Sequence, residues 1–395
     1  MSTKLLWRGF ANHANLFPFG SLIPIGLNPK KRIMSCNSGK KIWVWVFINC
    51  ANFVTVLIAP LCLFLFKKFP SSLDNYFVTM VTVLLTLICT GMVNYVNLLI
   101  WMHTSAAVKG FNTLVILEST LKSEKEIGKT SRTQKPDHLG QVVSRLIQFL
   151  SIFGYVLAIF CFWNNFDSTY FVLREFFIPI DGNTMLTMVT YLVRLIIFIC
   201  SCTELMRTLS FLVIYFIFPL QIVAYALQQF QQSSANLTSI AGNSKLRTLY
   251  VTMSLGIDLI ATVQGHSTKN FLLKGGPSTA VLMAFGQLEV VVCSIGTIRM
   301  WDIIPMPLYL ICPTTAVAAV TIVLLLLPRA SRCYDDSSKL LKTWTNVTAR
   351  GAAYENRLLD KRVLMEYRAC HKAIIALRPC KIFANISGVK LFMGK

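Results

Sequence analysis

Five charged residues, Arg145, Arg194, Glu204, Arg207 and Glu289, fall inside apolar stretches of the chain, where a charge is costly and therefore marks a place for chemistry. Glu204 and Arg207 stand three positions apart, so a helix puts them on one face, close enough to neutralise each other. Arg194 lies about three turns earlier in the same run, and Glu289 sits midway along another with no partner in its own helix. Two readings stand for Glu204 and Arg207: an internal ion pair, or a contact to a ligand. An unpaired mid-span carboxylate such as Glu289 is expected to face protein or water.

Around these charges the sequence brings Tyr155, Phe160, Trp163, Tyr191, Phe198 and Tyr309 to similar depth. Aromatic rings there serve either as anchors at the membrane interface or, facing inward, as the lining of an apolar pocket for a small organic molecule. With Arg194, Glu204 and Arg207 they make up the candidate ligand-binding set.

Other chemistries lack their residues. There is no GxxxxGKS/T, HExxH or GxSxG, and none of the five histidines stands beside a credible nucleophile. No enzyme, cofactor or metal site is therefore expected. Most of the twelve cysteines, among them Cys50, Cys62, Cys89, Cys161, Cys293 and Cys312, fall within apolar runs. The one close pair, Cys200 and Cys202, has no further ligand at metal spacing. They read as small apolar residues in helix interfaces. Potassium-filter sequence and Arg at every third position are missing too, which disfavours a voltage-gated channel.

The elements that must position these side chains are membrane helices. Of 395 residues 54% are hydrophobic and only 14% charged, with a mean hydropathy of +0.59, where soluble domains average about 25% charged. A span needs about 20 apolar residues. Residues 42–66, 76–102, 142–163, 278–298 and 306–328 each supply one. The long run 185–230 reads as one helix that projects from the membrane with its first half and spans with 206–230; two short spans are the alternative. The expectation is an all-α membrane protein with six spans (42–328), a cytosolic N-terminal segment (1–41) and a basic helical tail (329–395). The first apolar run is too long and too late for a cleaved signal and reads as an anchor.

Orientation follows from Lys and Arg. With the N-terminus inside, 31 of the 38 fall on the cytosolic side, and only Lys67, Lys68, Arg174 and Arg299 outside. The net charge of +21 therefore reads as membrane topology, with no nucleic-acid partner expected. The sequons at Asn236, Asn346 and Asn385 then lie on the cytosolic side, where no glycan is added. Three cytosolic stretches carry apolar stripes at helical spacing: Phe111, Leu114, Leu117 and Leu121; Leu246, Leu249, Met253, Ile257 and Ile260; and Leu359, Val363, Tyr367, Cys370, Ile374 and Leu377. They either pack into a bundle or lie flat on the anionic inner leaflet.

This layout, with Phe111-Asn112-Thr113-Leu114…Leu117-Glu118, Glu204-Leu205-Met206-Arg207, Gly296-Thr297-Ile298-Arg299 through Ile304-Pro305-Met306-Pro307, Ser337…Leu340-Leu341…Trp344 and Leu377-Arg378-Pro379, resembles the hexapod gustatory and odorant receptor superfamily over nearly its whole length. The resemblance implies a chemosensory subunit of a tetrameric, ligand-gated cation channel in the plasma membrane, joined to its partners through cytosolic helix extensions. It also implies a small-molecule ligand in the outer leaflet among the second, third, fourth and sixth helices, near the aromatics named above. The family's seventh, pore-lining helix, with its Thr-Tyr…Gln-Phe signature, would begin where this sequence ends in Val389–Lys395; the scaffold is thus seven helices minus the last. Two rivals remain. A G-protein-coupled receptor would need an outside N-terminus and lacks Asp-Arg-Tyr and Asn-Pro-x-x-Tyr. A small secondary transporter would use Glu289 and Arg207 as its substrate or proton pair, without the usual internal repeat.

Overall fold

The computed structural model describes residues 4–17, 22–28, 31–37, 39–66, 73–126, 138–165, 169–170, 173, 184–234, 240–263, 278–299, 309–358, 361–380, 384–386 and 389–391. The outer-loop residues Lys67, Lys68 and Arg174, the sequon Asn236, the stripe residue Leu359 and the opening of the sixth expected span at 306–308 lie outside them.

Helices dominate: α1 (Lys4–Leu16), α2 (Lys40–Asn52), α3 (Ala59–Phe66), α4 (Leu73–Glu126), α5 (His138–Trp163), α6 (Thr184–Ser234), α7 (Ile240–Val263), α8 (Ser278–Arg299), α9 (Ile311–Leu358) and α10 (Lys361–Ile375). Four of them or their continuations are long and apolar enough to cross a membrane, over Ile42–Cys62, Thr79–Ser123, His138–Trp163 and Met185–Ser233. The protein is thus an all-α, membrane-embedded chain. The first of these is interrupted by a π-helical turn, Phe53–Ile58, where the Ala59 N–H bonds back five residues to the Val54 carbonyl. Pro60 explains the wide turn, because it has no N–H to return to the carbonyl four residues earlier.

Two hairpins complete the fold. β1 (Ile25–Asn28) pairs antiparallel with β2 (Ile33–Cys36), Ile25 opposite Cys36. Its tip is fixed to α4 by Asn112, whose side chain accepts from the Met34 N–H and donates to the Met34 carbonyl, both at 2.9 Å. β3 (Ala384–Ile386) and β4 (Val389–Leu391) form the second, Ala384 opposite Leu391.

α4, α6 and α9 run to 54, 51 and 48 residues. At 1.5 Å per residue these are rods of roughly 70–80 Å, against about 30 Å of hydrocarbon. Their excess length packs with α7 and α10 into a bundle at one end of the molecule. The apolar stripes face into it: Phe111, Leu114, Leu117 and Leu121 on α4, Leu246, Met253 and Ile260 on α7, and Cys370 and Ile374 on α10 are buried. The bundle accounts for these faces; a flat helix on lipid would leave them open. At its centre α4 and α7 touch backbone to backbone at Gly110 and Gly256, where an added Cβ on Gly110 would meet the Gly256 carbonyl at 2.9 Å. The chain after α10 is tied back by the Tyr250 hydroxyl, which donates to the Arg378 carbonyl at 2.9 Å, and by the Cys380 N–H, which donates to Ser337 Oγ at 3.0 Å.

α4 and α6 lie parallel in a fixed register. Asn97 meets Glu204, and Phe111 stacks on Phe218 at 4.8 Å, both pairs separated by 107 positions. Residue 102, the expected inner edge of the second span, is therefore level with residue 209. The expected span at 206–230 lies within the longer apolar candidate Met185–Ser233. The run beginning at Thr208 is enclosed by protein, with Phe211, Ile214, Ile217, Phe218, Ile222, Val223, Leu227 and Phe230 buried, whereas Met185, Leu186, Met188, Val189, Leu192, Val193 and Ile196 are exposed. The lipid-like surface of α6 is its first half. Its second half is apolar because it is the core of the bundle.

Candidate functional site

Where α2, α4 and α6 cross, a polar knot sits in otherwise apolar surroundings. Glu204 and Arg207, one turn apart on α6, are 4% and 1% exposed. Arg207 Nε donates to Glu204 Oε2 at 2.7 Å, and Arg207 Nη2 pairs with Glu204 Oε1. The pair meets the charge-on-charge condition for burial, and Asn97 of α4 adds one bond to each partner. Asn97 Nδ2 donates to Glu204 Oε1 at 3.3 Å and its Oδ1 accepts from Arg207 Nη2 at 3.4 Å. A further Asn97 bond, at 2.5 Å, reaches Asn49 Oδ1 on α2. One turn along each helix, Ser201 donates to Asn52 Oδ1 at 2.9 Å.

The N-terminal helix closes the knot from below. α1 turns Leu6, Trp7, Phe10 and His13 onto α5 and α6, with Trp7 and Phe10 edge-on to Phe218. His13 Nε2–H donates to the Arg207 carbonyl at 3.2 Å. Burial and the neighbouring Arg207 charge hold His13 down to about 4, so it is neutral at physiological pH.

Arg194 does not join that knot. Several turns further out, its guanidinium stacks over Phe162 at 4.6 Å and Tyr170 at 4.8 Å, with Tyr191 at 5.9 Å. Its Nη1 donates to Asn165 Oδ1 at 2.9 Å and its Nη2 to the Phe162 carbonyl at 3.3 Å. Asn165 holds a left-handed φ of 56°, tolerated by Asn, which turns the end of α5 toward the arginine. Arg194 thus fastens the chain after α5 to α6 by cation–π contacts and hydrogen bonds.

The aromatics divide. Phe198 is buried in a small apolar cluster with Val81 and Ile88 of α4, Ala158 and Cys161 of α5, Cys202 of α6 and Val292 of α8, and Tyr309 packs against its edge. Tyr309 also donates its hydroxyl to the Thr297 carbonyl at 2.9 Å. Tyr155, Phe160, Trp163 and Tyr191 face outward, Trp163 at 82% exposure, as membrane anchors do. Glu289 is buried on α8 and meets Cys89 of α4, whose Sγ donates to Glu289 Oε1 at 4.0 Å. It does not meet Arg207, so the pair a transporter would need is not assembled.

Asn49, Asn52, Asn97 and His13 carry no net charge and do not stand out in the sequence. Their signal is a polar side chain inside an apolar run, which is costly unless partnered. Among the described residues no three His, Cys, Asp or Glu side chains converge as a metal site. No family model matches this chain, and a search of the curated proteins found no match.

Proposed function

We propose that the chain is a subunit of a ligand-gated cation channel of the insect gustatory and odorant receptor type, in the plasma membrane with its N-terminus in the cytosol. The single observation that carries this is the overshoot of α4, α6 and α9 into a packed bundle at one end. A receptor of isolated subunits needs no such mass of helix; subunits that must be held together around a shared axis do. The excess of Lys and Arg at that end supports a cytosolic side for it.

In this reading there are six spans, with α6 crossing by its first half, level with 76–102 of α4. A small apolar or weakly polar molecule binds in the outer half, beside the Phe198 cluster and between α4, α5, α6 and the start of α9. The Glu204–Arg207–Asn97–Asn49 knot underlies that place and joins three helices, so a ligand that shifts α6 against α4 strains the knot and, through His13, the seat of α1. The bundle passes the shift to neighbouring subunits, in a tetramer of like or unlike chains.

Excised-patch recording from cells expressing the chain, alone and with a second subunit, tests this. A panel of small organic stimuli should evoke a cation current without added nucleotide. A response that requires GTP and a second messenger would overturn the reading in favour of a G-protein-coupled receptor.

A further inference from the structure

Glu118, Glu204 and Glu289 are buried carboxyl groups among the described residues. Glu118 has Lys122 at 2.8 Å and Glu204 has Arg207. Glu289, 7% exposed, forms no ion pair among the described residues; its contact is the weak donor Cys89, at 4.0 Å. Buried carboxylates are otherwise paired, because an uncompensated charge is costly there. The surroundings of Glu289 are those of the Phe198 cluster. Phe285 and Val292, about one turn to either side of it on the same face of α8, both pack there, and Cys89 directly follows Ile88, another member. The α4–α6 register puts Phe198 level with residue 91, about 3 Å along the axis from Cys89. Arg194, one turn outward of Phe198, is engaged by Phe162, Tyr170 and Asn165. Gly286, one turn from Glu289 and half-buried, has nothing within 4 Å of where a Cβ would stand, so open space borders this face of α8.

We propose that Glu289 is the recognition point for a weak-base amine. The hydrocarbon of the ligand lies against Phe198, Phe285 and Tyr309, and its nitrogen makes the ion pair that the chain itself does not supply. This rests on the ligand site of the channel reading and names the class of molecule that site takes. In its neutral form such an amine is weakly polar and dissolves in the bilayer. At the site one proton is shared between nitrogen and carboxyl, so no net charge is carried into the protein. An alcohol of the same shape can hydrogen-bond to the carboxyl but brings no charge to it, and charge-assisted hydrogen bonds are the stronger ones.

The test is carboxyl labelling of the full chain in lipid nanodiscs with diisopropylcarbodiimide, a small lipid-soluble reagent. Mass spectrometry reads Glu289 on tryptic peptide 275–299, which holds no other acidic side chain. The probes are N,N-dimethylphenethylamine, a tertiary amine that the reagent cannot couple, and phenethyl alcohol. The amine should protect Glu289 at about one-tenth of the concentration the alcohol needs, the margin of a charge-assisted over a neutral hydrogen bond. Labelling of Glu366, exposed on α10, should not change with either probe. Equal protection by the two probes, or none, would overturn the proposal. So would a Glu289 that the reagent never labels, because a carboxyl that an amine reaches from the bilayer is open to a small carbodiimide as well. A stimulus-evoked current together with equal protection would remove the amine class and leave the channel reading. Selective protection by the amine without a current in any preparation would do the reverse.

Discussion

Replacing Arg207 by methionine keeps most of the side-chain volume but removes the guanidinium from a site that is 1% exposed. Glu204 would then keep only the 3.3 Å bond from Asn97, with its carboxylate charge still buried. Breaking one side of a buried pair costs about 3–5 kcal/mol, whereas replacing both sides with neutral groups of similar size is often nearly neutral. Arg207→Met alone should therefore lower the apparent melting temperature in detergent by roughly 10 °C, at a few degrees per kcal/mol. Adding Glu204→Gln to it should restore most of that loss. Fluorescence-detected size exclusion after a heating series reads both variants in one detergent. If Arg207→Met melts with the wild type, or if the double variant falls by the sum of the singles, the knot is not a closed, mutually dependent unit.

Three further outcomes follow from particular contacts. His13 is held at about 4 when folded and returns to its ordinary value of 6.5 when α1 leaves. The undocked state thus binds the extra proton, and docking weakens as pH falls through 6.5 toward 4, by about 2 kcal/mol at pH 5. Hydrogen exchange of residues 4–16 should rise accordingly between pH 7 and 5 after correction for the intrinsic rate, and His13→Gln should flatten that dependence. Gly110→Ala forces a methyl to 2.9 Å from both the Gly256 carbonyl and Leu259 Cβ; it should loosen α7 by about 1–3 kcal/mol, seen as faster exchange across residues 240–263 with little change in α5. Cys36 is exposed on the β1–β2 hairpin fastened to α4 beside the bundle, so a charged maleimide should label it only after cells are permeabilised. Labelling in intact cells would reverse the proposed orientation.

The helices were legible because an apolar run of 20 or more residues must leave water, and a helix satisfies its backbone wherever it goes. So were the buried stripes of α4, α7 and α10, where spacing alone reports the face. Glu204 and Arg207 could be paired because their partnership is local. Asn97 and Asn49 could not be joined to them, since those contacts span 107 and 48 positions and depend on how three helices cross. Hydropathy alone does not divide α6, because it measures escape from water, and residues 208–227 escape into protein as readily as into lipid. Sequence depth likewise put six aromatics at one level but could not say which way each ring turned, and only Phe198 and Tyr309 turn inward.

The central claim is that the bundle of helix extensions exists to hold subunits together. Single-particle cryo-microscopy of the full chain, extracted directly into native-lipid discs alone and after co-expression with a second subunit, tests it most directly. The account predicts particles with four chains of 44.4 kDa each, joined at the α4–α7–α9–α10 end on the cytosolic side. Particles that are monomeric in both preparations, or joined through the opposite end, would contradict it.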